Sequence, residues 1–139
     1  MKMTTYINLP GTCREALRFY AEHLGAQTLF QMTYDQMPDP KMMPPKLTGD
    51  SVLHATLSLG ETQLHAADVP GAEPMRSAYL TLSVDSNEEA ERIYAALTAG
   101  GQIFMKLQET FFAHRFAQFR DKFGVNWMLL HPRPMPPTA

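Results

Sequence analysis

Val52-Leu53-His54-Ala55-Thr56-Leu57-Ser58-Leu59, then Gly60-Glu61, then Thr62-Gln63-Leu64-His65-Ala66-Ala67, reads as two alternating strands joined by a two-residue hairpin loop. With Gly60 and Glu61 as that loop, Leu59 pairs with Thr62, Leu57 with Leu64, Thr56 with His65 and Ala55 with Ala66. Leu53, Ala55, Leu57, Leu64 and Ala66 then share an apolar face suited to packing on helices. The opposite face carries His54, Thr56, Ser58, Gln63 and His65. His54 falls diagonal to His65, about 7–8 Å away between backbones, so the two side chains can share a ligand.

Upstream of the hairpin, Tyr6-Ile7-Asn8-Leu9 is a short strand ended by Pro10-Gly11. Thr12 and Glu15 have the spacing of a capping box, and Cys13, Leu17, Tyr20 and Leu24 recur along one face of the helix that follows. Gly25 stops that helix. Gln27 to Asp35 reads as a second strand, and Gln36 to Asp50 as a proline-rich loop leading into the hairpin.

The second half repeats the plan. Leu80, Leu82 and Val84 alternate with Tyr79, Thr81 and Ser83, which puts the first three toward a helix and the others on the opposite face. Ser86 with Glu89 forms another capping-box pattern, Ala90, Ile93 and Leu97 share a helical face, and Gly100-Gly101 ends the helix. Gln102–Leu107 reads as strand, Gln108 to Arg115 as an aromatic loop, and Phe116–Arg120 and Val125–Leu130 as strands joined by Asp121-Lys122-Phe123-Gly124. At an offset of 75 residues Ala21 meets Ala96, Gly25 meets Gly100 and Gln27 meets Gln102. The expected architecture is α+β: two βαβββ units, 1–70 and 75–131, in one domain with a C-terminal tail, 132–139. Two such units suggest a curved mixed sheet enclosing a cup-shaped cavity, with the helices on its outer face.

Composition narrows the function classes. The 139 residues suffice for one core, and the single cysteine, Cys13, excludes an intramolecular disulfide and any multi-cysteine metal site. Net charge is −2 and none of the twelve Lys and Arg residues adjoins another, so no basic stripe marks a nucleic-acid or membrane partner. The first residues lack the apolar run of a signal peptide, and a cytoplasmic location is expected. Four of the eleven prolines lie in Pro38–Pro45, close to Met32, Met37, Met42 and Met43. These flexible apolar groups suit a lid over a ligand or a surface for a partner subunit.

Tyr6-Ile7, the helix Cys13-Arg14-Glu15-Ala16-Leu17-Arg18-Phe19-Tyr20, Leu24-Gly25-Ala26, the run Gln108-Glu109-Thr110-Phe111-Phe112-Ala113-His114 and the run Asp121-Lys122-Phe123-Gly124-Val125-Asn126-Trp127-Met128 carry a family likeness. In these the chain resembles the vicinal oxygen chelate superfamily of glyoxalase I, bleomycin-resistance proteins, fosfomycin-resistance enzymes and extradiol dioxygenases, and within it the PhnB-like branch. The resemblance implies a cup that holds a small molecule, homodimers, and in many members a divalent metal on His and Glu side chains. Carried onto this sequence, the implied metal positions fall on Thr5, near His65, on Tyr79 and on Met128. Only the histidine is an ordinary ligand, so no metal of that kind is expected. A rearranged divalent site on His54, His65 and Glu109 is the alternative.

The expected ligand contacts are His54, Thr56, His65, Tyr79, Thr81, Phe111 and Phe112, with Glu109 and His114 as the candidate acid/base pair. Trp127 is expected in the core, as is Cys13, which has no histidine near it in sequence to serve as a base. The function expected is therefore small-molecule binding without a metal by a PhnB-like homodimer. A metal-dependent lyase, isomerase, dioxygenase or transferase is the rival, and a purely structural module the third class.

Overall fold

The chain divides into two units, Met1–Glu73 and Pro74–Ala139, in a computed structural model that describes residues 1–39 and 43–134. The first unit runs β1 (Thr5–Leu9), α1 (Cys13–Leu24), β2 (Gln27–Thr33), β3 (Val52–Leu59) and β4 (Thr62–Asp68). The second runs β5 (Leu80–Ser83), α2 (Asn87–Thr98), β6 (Gln102–Gln108), β7 (Ala113–Arg120) and β8 (Asn126–Pro132). Both expected βαβββ units are present, and each holds its own four-stranded mixed sheet, ordered β1-β4-β3-β2 and β5-β8-β7-β6. In each the first strand lies parallel to the last, the helix carries the chain from the first strand at one edge of the sheet to the second strand at the other, and the remaining neighbours are antiparallel.

The β3–β4 hairpin has the expected register, from Leu59 opposite Thr62 to Ala55 opposite Ala66. Ala55, Leu57, Leu64 and Ala66 are buried against Cys13, Ala16, Leu17 and Tyr20 of α1, and Leu53 is half-buried. The second unit buries Ala117, Phe119, Trp127 and Leu129 against Ala90, Ile93 and Leu97 of α2. Each large apolar side chain so enclosed contributes about 1.5–3 kcal/mol.

Local chemistry explains the element ends. Gly25 adopts a left-handed φ of 68° and closes α1 with its N–H on the Tyr20 carbonyl. Ser86 Oγ accepts from the Glu89 N–H and starts α2. Asp121 organises the β7–β8 turn: Oδ1 accepts from the N–H groups of Phe123 and Val125, and Oδ2 accepts from the buried Trp127 indole at 2.9 Å. Trp127 is thus a core residue, as expected.

Three expectations are corrected. The Thr12–Glu15 capping box does not form, because Thr12 sits at φ −105°, ψ 11° and makes no side-chain cap bond. Its place is taken by buried Asp68 at the end of β4, whose Oδ1 accepts from the Cys13 N–H at 2.9 Å and whose Oδ2 accepts from the Val52 N–H at 2.8 Å. One carboxylate therefore satisfies the starts of both α1 and β3. Second, the aromatic loop is shorter than 108–115. β6 continues to Gln108 and β7 begins at Ala113, so His114 and Arg115 lie in a strand, where Arg115 pairs with Glu91 of α2 at 3.3 Å. Third, β8 extends to Pro132, beyond its expected end at Leu130, and Arg133 of the expected tail is tied to the Thr110 and Phe112 carbonyls. Its last residues, 135–139, lie outside the described residues, as does Met42 of the expected lid. Among the described residues no helix is long and apolar enough to cross a membrane.

Candidate functional site

Pairing of β1 with β4 sets Tyr6 beside His65, and pairing of β3 with β4 sets Thr56 beside His65. Strand alternation then points Tyr6, His54, Thr56 and His65 away from α1, on the open face of the first sheet. Their rings form a near-parallel group: Tyr6 and His54 have centroids 5.5 Å apart, His54 and His65 5.5 Å, and Tyr6 and His65 6.1 Å. Phe30 of β2 adds a fourth ring 5.9 Å from His54. Tyr6 Oη lies 2.9 Å from His54 Nδ1, while Thr56 Oγ1 lies 3.1 Å from His65 Nδ1 and 3.5 Å from His54 Nε2. Partial burial, with Cys13 and Tyr34 as further contributors, raises the Tyr6 phenol above its ordinary pKa of 10.0 and keeps it protonated.

Tyr6 is not singled out by the sequence, and the resemblance implies Thr5 at the first-strand position. The register corrects this: Thr5 pairs with Leu64 and shares the face of Ile7, whereas Tyr6 pairs with His65. In the second unit Leu80 pairs with Trp127 and Thr81 with Met128, so Thr81, not Tyr79, is the counterpart of Tyr6. Tyr79 stands just before β5, edge-on to Phe104 at 6.5 Å, and the Arg120 guanidinium covers the same Phe104 ring at 5.4 Å.

The other expected residues gather around the β6–β7 connection. Phe111 stands 88% exposed, with its ring 5.2 Å from Phe112, which in turn meets Phe116 at 5.0 Å. Glu109 Oε1 accepts a hydrogen bond from Arg133, and His114 packs its ring 4.7 Å from that of His131. His131 Nδ1 is 2.8 Å from Asn87 Oδ1 at the first residue of α2. Desolvation, together with Arg133 and His131, holds the His114 imidazole below its ordinary pKa, and Glu109 opposes this only in part.

The donors on the open faces do not suit a divalent metal of the kind the resemblance implies. The corresponding positions offer a protonated phenol and an imidazole in the first unit, and a hydroxyl and a thioether in the second. Among the described residues no three of His, Cys, Asp and Glu group closely enough to hold a metal ion. Cys13 is buried, and that burial, with Asp68 beside it, pushes its thiol pKa up to about 12, so it is an inert core residue. An open cleft of about 340 Å³ lies between residues 2–5 and 61–63, lined by none of the ring-cluster residues.

Comparison with known proteins agrees with the topology. Residues 9–129 match the model of the Glyoxalase/Bleomycin resistance protein/Dioxygenase superfamily. Protein YjdN of Escherichia coli (strain K12) is 32% identical over 141 residues, spanning 93% of this chain and 94% of that protein. The crystal structure of protein PA1353 from Pseudomonas aeruginosa is similar with a TM-score of 0.84 and 34% identity, over 96% of this chain and 99% of that one. A PhnB protein from Bacillus cereus, described as a putative 3-demethylubiquinone-9 3-methyltransferase, shares the fold with a TM-score of 0.79 at 24% identity, over 94% of this chain and 99% of its own.

Proposed function

Because this chain belongs to the glyoxalase/bleomycin resistance protein/dioxygenase superfamily, we propose that it binds a small organic molecule, without a metal, on the open face of its first sheet. The observation that carries this reading is the cluster of Tyr6, His54, Thr56 and His65, which joins stacked rings to hydrogen-bonding nitrogens and a hydroxyl on one surface. Flat rings take up the apolar part of a ligand, and His65 Nε2 offers it a polar contact. Within the second unit, Tyr79, Thr81, Phe111 and Phe112 are proposed as ligand contacts in their own right, and Glu109 with His114 as acid/base groups. The fold shared with the Bacillus cereus PhnB protein supports placement in the PhnB-like branch.

A homodimer of single-domain chains, 1–139, located in the cytoplasm, belongs to the same proposal. Large apolar side chains exposed on the edge strands, Leu29 and Phe30 of β2 and Ile103, Phe104 and Met105 of β6, support a partner surface. Light scattering at micromolar concentration tests the dimer.

The function is tested on protein purified without chelator. Metal content is measured first, and the histidine resonances are then titrated with small carboxylic, phenolic and carbonyl compounds. The reading expects far less than one metal per chain, and shifts at His54 and His65 that His65→Ala abolishes. Near-stoichiometric metal that disappears in His65→Ala would overturn it in favour of a metal-dependent enzyme.

A further inference from the structure

We infer that Tyr6, His54, Thr56 and His65 work as one proton relay, in which the single hydroxyl proton of Thr56 ties the tautomers of the two histidines together. A neutral imidazole has one N–H and one bare nitrogen, and a threonine hydroxyl gives one proton. Thr56 Oγ1 faces His65 Nδ1 on one side and His54 Nε2 on the other. If Thr56 donates to His65 Nδ1, His65 carries its proton on Nε2. Thr56 then accepts from His54 Nε2, which leaves His54 Nδ1 bare to accept from the Tyr6 hydroxyl 2.9 Å away. If Thr56 donates to His54 Nε2 instead, His65 donates from Nδ1 to Thr56 and His54 donates from Nδ1 to Tyr6. Both imidazoles thus hold their proton on Nε2 in the first arrangement and on Nδ1 in the second.

Passage from the second arrangement to the first carries one proton along the chain. A proton arrives at His65 Nε2, and the Nδ1 proton of His65 moves to Thr56 Oγ1. Thr56 passes its own to His54 Nε2, His54 passes its Nδ1 proton to Tyr6 Oη, and Tyr6 releases its proton to water. One N–H or O–H bond forms for each that breaks, and no other reactant takes part. The two ends suit this role: Tyr6 is half-exposed, and His65 Nε2 has no hydrogen-bond partner among the described residues. The relay equips the face to exchange a proton with a bound molecule at His65 while the protein's net charge stays constant.

The inference rests on the reading that this face takes a ligand, yet its test needs none. In ligand-free protein the tautomers are read from the ring nitrogen-15 shifts of His54 and His65 in long-range proton–nitrogen spectra. Both should carry the proton on the same nitrogen. Tyr6→Phe, which removes only the terminal hydroxyl, should shift the tautomer balance of His65, and that effect should persist with Thr56→Ser and vanish with Thr56→Val. Opposite tautomers in the unaltered protein overturn the relay, and so does a Tyr6→Phe effect at His65 that survives Thr56→Val. The unaltered protein decides the first point whether or not every variant folds. Uncoupled tautomers alongside intact ligand binding would remove the relay and leave the proposed function standing; coupled tautomers without binding would do the reverse.

Discussion

Where the first strand of each unit meets the last, one unit sets Tyr6 against His65 and the other sets Thr81 against Met128. One position earlier on both strands, Thr5 meets Leu64 and Leu80 meets Trp127, and there the partners on β4 and β8 are both core side chains. The helix-side residues of β4 and β8 serve the same packing role in both halves, while the open faces have parted into an imidazole–phenol cluster and a hydroxyl–thioether pair. A scaffold held by one face of each sheet leaves the other free to change its chemistry. The strand ends differ as well. Asp68 and His131 occupy matching places, four residues beyond Leu64 and Trp127, and each reaches the first residue of its unit's helix. Asp68 does so as a buried carboxylate on two backbone N–H groups, His131 through a side-chain bond to Asn87.

The strongest way to break the parallel is at that position. Asp68→Ala strands two buried N–H groups and should cost about 3–5 kcal/mol, whereas His131→Ala should cost about 1 kcal/mol. Urea denaturation of both variants checks this, and equal losses would refute the asymmetry. Next in size is the close approach at Gly101, where an added Cβ would sit 2.1 Å from the Arg120 carbonyl oxygen. Gly101→Ala should cost about 1–3 kcal/mol in thermal or chemical unfolding. The matching residue of the first unit, Ala26, already carries a buried Cβ.

Exchange of the open-face residues sharpens the comparison further. Tyr6→Thr with His65→Met gives the first unit the second unit's pair, and stability should fall by only about 1 kcal/mol, since mainly ring stacking is lost. Ligand-induced shifts at His54 should vanish in the same variant; retained shifts would place the ligand elsewhere. The smallest effect concerns acid. An unfolded His114 takes up its proton near pH 6.5, while the folded one resists. Below that pH the unfolded chain therefore binds more protons, and stability declines as pH falls through the ordinary histidine range toward the lower folded pKa. His114→Gln should flatten this decline in denaturation curves measured between pH 7 and about 5.

The hairpin was legible because strict alternation and a two-residue loop fix its register, and with it the shared face of His54, Thr56 and His65. Trp127 followed from its alternation with Met128. Tyr6 was not legible, because a strand of five residues has too few positions for the pattern to assign its faces, and pairing with β4 decides the matter. Asp68 escaped because its partners lie 55 and 16 residues away, and no local pattern announces a cap supplied from another strand. Thr12 and Glu15 matched a local pattern that this distant carboxylate overrode. The start of β7 is not legible, because a register irregularity between Ala113 and Arg115 interrupts the alternation that would mark it.

Asp68 has one more consequence, for the length of the chain between β2 and β3. Its carboxylate fixes Val52, where that excursion returns, and its carbonyl accepts from the hydroxyl of Tyr34, where the excursion departs. The Tyr34 N–H bonds the Ser51 carbonyl across the neck at 3.0 Å. With both ends clasped, residues added or removed inside the excursion leave the sheet's register alone. Doubling its length should then cost only the entropy of a longer loop, about 0.6 kcal/mol. Insertions into the proline-rich segment are therefore expected to leave the unit's unfolding midpoint nearly unchanged, which denaturation of a lengthened variant checks.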